Sequence, residues 1–111
     1  MKILTELRET AAEAEEAALR ATIRRRVRLQ VPDDGRSYCR AVIEARDSKL
    51  CMGHADYRTY DVELYDDQQE LPQYVDLDDA VLSAALGSLA ELLRPDEGAQ
   101  LIVDLTDDVL N

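Results

Sequence analysis

The sequence contains no tryptophan, no phenylalanine, one histidine, two cysteines, four glycines and three prolines in 111 residues. Without large aromatic rings other than five tyrosines, a core must be built from leucine, valine and isoleucine. Gly35, Gly53, Gly87 and Gly98 are too scattered to form a phosphate-cradling loop. No apolar run exceeds three residues, as in Ala84–Leu86, whereas a bilayer span needs about 20. The charged start Met1–Arg8 has no apolar signal core behind it, so the expected protein is neither membrane-spanning nor secreted, and works in the cytoplasm.

Scarcity of histidine and cysteine also limits the chemistry. Cys51-Met52-Gly53-His54, with Cys39 and Asp56, has the residue types of a tetrahedral zinc site, but paired ligand motifs are missing and Cys39 falls inside a strand. The cysteines are expected as free thiols. Cys51 or a serine beside His54 and Asp56 could form a nucleophile set, yet one histidine among many carboxylates tends to a stabilised imidazolium and makes a poor general base. Asp76-Leu77-Asp78 opens like a calcium loop and fails at Ala80 and at the missing sixth-position glycine. No catalytic residue, cofactor or bound metal is expected.

What the sequence has in abundance is negative charge. The formal net charge is -11, from 13 basic and 24 acidic residues. Residues 51–111 hold only Arg58 and Arg94 against 15 carboxylates, a net of -13, while residues 1–50 are net +2. Such a field repels nucleic acid and anionic membranes and attracts basic protein surfaces in a salt-dependent way. Acidity for solubility alone does not explain its confinement to one half.

The length fits a single domain over residues 1–111. Lys2 to about Arg20 predicts a first helix, with Leu4, Leu7, Ala11, Ala14 and Ala18 on one stripe and Glu16 four residues before Arg20. Ile23–Val31 alternates apolar and polar and predicts a strand. Pro32-Asp33-Asp34-Gly35 then turns it into a returning strand, Ser37–Arg46, with Cys39, Ala41, Ile43 and Ala45 inward. Arg24, Arg26 and Arg28 would then face outward and pair with Glu44, Asp61 and Glu63 on neighbouring strands. A third strand is predicted over Tyr57–Tyr65 with Tyr60, Val62 and Leu64 inward, then a loop over Asp66–Gln73. Asp76 is the expected N-cap of an apolar second helix that ends at Arg94 before Pro95. Leu101, Val103 and Leu105 mark a closing strand, and residues 107–111 a peripheral tail. The expected class is α+β: a two-layer sandwich of a four-stranded, mainly antiparallel sheet with two helices on one face, in the order α-β-β-β-α-β.

The functional expectation rests on the carboxylates. Outward strand residues two apart are about 6.6 Å apart, of the order of successive phosphates on one nucleic-acid strand. Asp61 and Glu63 meet that spacing, and Asp66, Asp67, Glu70, Asp76, Asp78 and Asp79 extend the line, with Tyr57, Tyr65 and Tyr74 among them as favoured interface residues. A groove built to neutralise phosphates with lysine and arginine would accept such a ridge as a competing polyanion. In size and charge over the whole chain, though in no motif, the sequence resembles the small acidic phage-encoded inhibitors of bacterial defence, of the anti-CRISPR and anti-restriction type. That resemblance implies a non-enzymatic protein in the cytoplasm of the producing or infected cell. Its partner would be the basic nucleic-acid-binding surface of a nuclease or ribonucleoprotein complex, with no direct contact to nucleic acid. The alternative is a structural or assembly protein that forms a homo-oligomer through its Ala-rich helix or a sheet edge.

Overall fold

In the computed structural model the described residues are 2–32, 37–46, 53–66 and 71–106, with side chains described from residue 13 onward. The order is α1 (Lys2–Leu29), β1 (Tyr38–Arg46), β2 (Asp56–Tyr57), β3 (Val62–Asp66), β4 (Gln73–Val75), α2 (Ala80–Leu93) and β5 (Gln100–Asp104). The class is α+β, with an antiparallel sheet of five strands instead of four.

The largest departure from the sequence expectation is at Ile23–Leu29, which continues α1 and forms no strand. The apolar positions there satisfy two periods at once: Ile23, Val27 and Leu19 are also four apart, the spacing of one helix face. Arginine is a strong helix former, and nothing between Arg20 and Ile23 stops a helix. The helix runs until Pro32 approaches. Its last turn is tightened by a bond from Gln30 N–H to Val27 O at 3.0 Å, and Arg26 and Arg28 complement the negative helix terminus. Ile23 and Val27 are fully buried, whereas Ala14, Ala17 and Ala18 are exposed. Of the predicted stripe, Ala14 and Ala18 therefore face solvent and do not pack on the sheet.

β1 is the central strand. Ala45 N–H bonds to Ala99 O at 2.8 Å on one edge, while Glu44 O accepts from Arg58 N–H at 3.0 Å on the other. Because antiparallel residues alternate in the edge they serve, β5 lies on the first side and β2 and β3 lie end to end on the second. The predicted strand Tyr57–Tyr65 is therefore real in its pairing and broken in the middle. Asp61 adopts φ 51°, the left-handed region, and three extra residues enter the register between Tyr57 opposite Ala45 and Leu64 opposite Ala41. The break turns Tyr57 into the core and leaves Tyr60 exposed, the reverse of the alternation expected.

The residues read as a loop hold the start of a short edge strand, β4, which pairs with β3 through Val75–Val62, Tyr74–Glu63 and Gln73–Leu64. Pro72 precedes it, a residue tolerated at an edge. The expected strand at the chain's C-terminal side is found, with Leu101 and Val103 buried and Gln100, Ile102 and Asp104 exposed. Both helices cover one face: Ile23 and Val27 of α1 and Leu82, Leu86 and Leu89 of α2 share one buried cluster with Ala41, Ile43, Leu64, Leu101 and Val103. α2 ends as predicted, with Arg94 as a left-handed C-cap ahead of Pro95. Its N-cap is Asp79, three residues beyond the one expected.

Candidate functional site

The predicted ridge divides into carboxylates held by the fold and carboxylates turned to solvent. Asp79 belongs to the first group. Its Oδ1 accepts from Val81 N–H at 2.9 Å and Leu82 N–H at 3.1 Å, and its Oδ2 takes Arg26 Nε at 2.7 Å and Gln30 Nε2 at 3.0 Å. Only 7 % of its side chain is exposed. The bond from Arg26, with the two cap amides, holds its carboxyl below the usual aspartate range despite burial acting the other way. Asp79 thus clamps the end of α1 to the start of α2 and is not available to a partner.

Asp61, Glu63, Asp76 and Asp78 form the second group. Asp61 and Asp76 are joined, because Asp61 N–H donates to Asp76 Oδ1 at 3.0 Å, and Leu77 N–H donates to Thr59 O at 2.7 Å beside them. Glu63 lies one step along β3, directly opposite Tyr74, whose hydroxyl donates to Glu63 Oε1 at 3.5 Å. Asp61, Asp76 and Asp78 are exposed and Glu63 is half-buried. Among the described residues no ion pair engages any of these four. The chain has no lysine, arginine or histidine between Arg58 and Arg94, and nine carboxylates in that interval. Asp61 precedes β3 in a left-handed conformation, so the regular strand spacing expected between it and Glu63 does not hold.

Tyr65 and Asp66 close the strip at the other end of β3. Tyr65 stacks under Arg40, whose guanidinium carbon is 4.6 Å from the ring centroid. Burial and then the neighbouring Glu63 push the Tyr65 hydroxyl above its usual range. Asp66 lies opposite Tyr38. Asp67 and Glu70 lie outside the described residues. Of the other two tyrosines expected among the carboxylates, Tyr74 lies beside Glu63 with 56 % exposure, whereas Tyr57 is turned into the core. The strand that carries Tyr74 is not legible in the sequence, because three residues are too few to show a period.

The arginines are spent differently from the cross-strand pairs expected of them. Arg26 goes to Asp79, Arg24 donates to Thr106 O, and Arg20 pairs with Glu16 at 3.1 Å as the helical spacing predicts. Glu44 is paired instead with Arg58 at 3.3 Å and Arg46 at 3.1 Å. On α1 an open groove lined by Ala21, Arg24, Arg25, Arg28 and Leu29 carries the basic surface.

Of the zinc and nucleophile candidates, Cys51 lies outside the described residues. Cys39 Sγ sits 3.4 Å from Tyr65 O, His54 Nδ1 is 2.7 Å from Ala55 O, and Asp56 Oδ1 accepts from Tyr57 N–H. Among the described residues no group of three or more histidine, cysteine and acidic side chains could hold a metal. No described helix is long and apolar enough to cross a membrane. No protein-family model, curated protein or solved structure matches the chain.

Proposed function

We propose that the protein is a non-enzymatic inhibitor whose β3–β4 hairpin docks on a basic, nucleic-acid-binding surface of a nuclease or ribonucleoprotein complex. One observation carries the proposal: Asp61, Glu63, Asp76 and Asp78, none with an ion pair among the described residues, are gathered at one hairpin, whereas other exposed and unpaired carboxylates, Glu13, Glu15, Glu91 and Asp96, are divided between α1 and the far end of α2. Solubility alone gives no reason to gather four unpaired carboxylates at one hairpin. Arginine and lysine side chains that neutralise phosphates would meet a group of unpaired anions here, and the exposed Tyr74 supplies the rigid amphipathic contact that interfaces favour.

The test is affinity capture from lysate with the tagged chain, elution in rising salt, and displacement by DNA or RNA. Mimicry predicts a retained nucleic-acid-handling complex that leaves with salt and is displaced by nucleic acid. A retained complex indifferent to both would contradict it.

A further inference from the structure

β5 is an edge strand with no strand paired on its outer side among the described residues, where Arg20, Ile23 and Arg24 of α1 line a small cavity against Leu101, Ile102, Val103 and Asp104. The bonds from Leu105 N–H to Cys39 O and from Ala45 N–H to Ala99 O, both 2.8 Å, show that odd-numbered residues of this segment serve β1. Alternation turns the N–H and C=O groups of Gln100, Ile102 and Asp104 the other way, and among the described residues no loop or cap hydrogen bond reaches them. The open row stops at Thr106, whose carbonyl takes Arg24 and whose N–H goes to Asp104 Oδ1 at 2.9 Å. At its centre stands Ile102, 62 % exposed, the least protected isoleucine or valine on the sheet. Strand edges of this kind are templates for pairing unless a charge, proline or covering element blunts them.

We propose that β5 pairs antiparallel with β5 of a second copy of this chain, about a two-fold axis through Ile102. The register follows from the strand itself. Gln100, Ile102 and Asp104 present the outward backbone groups. An axis through Leu101 or Val103 would bond only two of the three to each other and leave the third opposite a residue outside the strand, so the fullest pairing has its axis at one of the three. Centred on Asp104, two carboxylates would stand opposite each other, which destabilises a pair. Centred on Gln100, Ile102 would face Gly98, which sits in a turn at φ 90°. Centred on Ile102, each Gln100 faces Asp104 of the partner subunit, the two isoleucines meet on the outer face, and all three opposed pairs exchange main-chain bonds. The flank of β5 carries both signs of charge, with Arg40 opposite Asp104 and Arg20 paired to Glu16, unlike the hairpin at the far edge. The two copies would share one continuous sheet, with the acidic hairpins at its outer ends about 34 Å apart at the usual strand spacing. The pairing stands on the edge geometry alone and does not depend on the inhibitory role.

Light scattering over a range of concentrations, at low and high salt, tests it on the full chain. The expected mass is twice the 12.5 kDa of the chain, indifferent to salt, falling to 12.5 kDa in Ile102→Lys with an unchanged circular dichroism spectrum. A mass of one chain at every concentration overturns the proposal. So does a dimer that survives Ile102→Lys, which would move the interface to another surface such as the exposed alanines of α1. Should Ile102→Lys fail to fold, Ile102→Cys with Cys39→Ser and Cys51→Ser decides. Opposed hydrogen-bonded residues lie about 5.5 Å apart at Cα, within disulfide reach. A disulfide-linked dimer on mild oxidation supports the pairing, and its absence overturns it.

Discussion

The C-terminal half of α1 and the β3–β4 hairpin are both dense in one sign of charge, and the fold treats them in opposite ways. On the helix, Arg20, Arg24 and Arg26 each have an internal partner, and Arg26 reaches across to fasten α2 through Asp79. On the hairpin, Asp61, Glu63, Asp76 and Asp78 have no ion pair among the described residues, and two of them are drawn together by a backbone bond. A count of charges treats the two alike. Geometry separates charge that holds the fold together from charge that is displayed.

The sharpest way to break the helix side is to remove what seats it. Ile23 is buried between the helices and the sheet, and Ile23→Ala should lower unfolding free energy by about 3 kcal/mol, read by denaturant melts. Next comes the clamp. Asp79→Ala removes an N-cap and an ion pair together and should lower the melting temperature by about 5 °C. Asp79→Asn keeps a capping oxygen and should lose less.

The clamp also fixes a pH response. Its carboxyl titrates below the ordinary aspartate range when folded, so its contribution is fully present above about pH 4 and is lost as pH falls through the folded value. Asp104, held low by the hydroxyl and N–H of Thr106, adds to the same acid sensitivity. Melts of Asp79→Asn across the acid range should therefore fall less steeply with pH than those of the parent chain.

The hairpin should behave differently. A change to lysine at Asp78 should alter stability by less than about 0.5 kcal/mol, because no ion pair is broken, whereas Asp76→Lys also loses the bond from Asp61 N–H and should cost about 1 kcal/mol. A loss of several times either size would show that these carboxylates hold the fold as Asp79 does. The smallest effect is spectroscopic. Glu63→Gln should bring the Tyr65 phenol partway back toward its ordinary range in an ultraviolet titration, with the share due to burial remaining.

How far the sequence revealed this depends on the element. α2 and β5 were legible because each fits one period only: Leu82, Leu86 and Leu89 cannot lie on one face of a strand, and Leu101 and Val103 cannot lie on one face of a helix. Ile23–Leu29 fits both periods, and only its long-range seat against the sheet, which no local pattern contains, decides for helix. The break at Asp61 was hidden because a positive φ is signalled most clearly by glycine, and here an aspartate adopts it. The acidic strip was legible as composition. What composition could not separate was Asp79 from Asp78, adjacent residues of the same type, one a buried cap and the other exposed.

The most direct test of displayed against diffuse charge is a matched pair of variants. One neutralises the hairpin through Asp61→Asn, Glu63→Gln, Asp76→Asn and Asp78→Asn. The other removes the same charge from exposed carboxylates elsewhere through Glu13→Gln, Glu15→Gln, Glu91→Gln and Asp96→Asn. Affinity for the complex captured by the parent chain is measured for both at fixed salt. Four lost exposed pairs predict about thirtyfold weaker binding for the hairpin variant and near-parental binding for its control. Equal weakening in both would contradict a localised docking strip and leave net charge as the only property that matters.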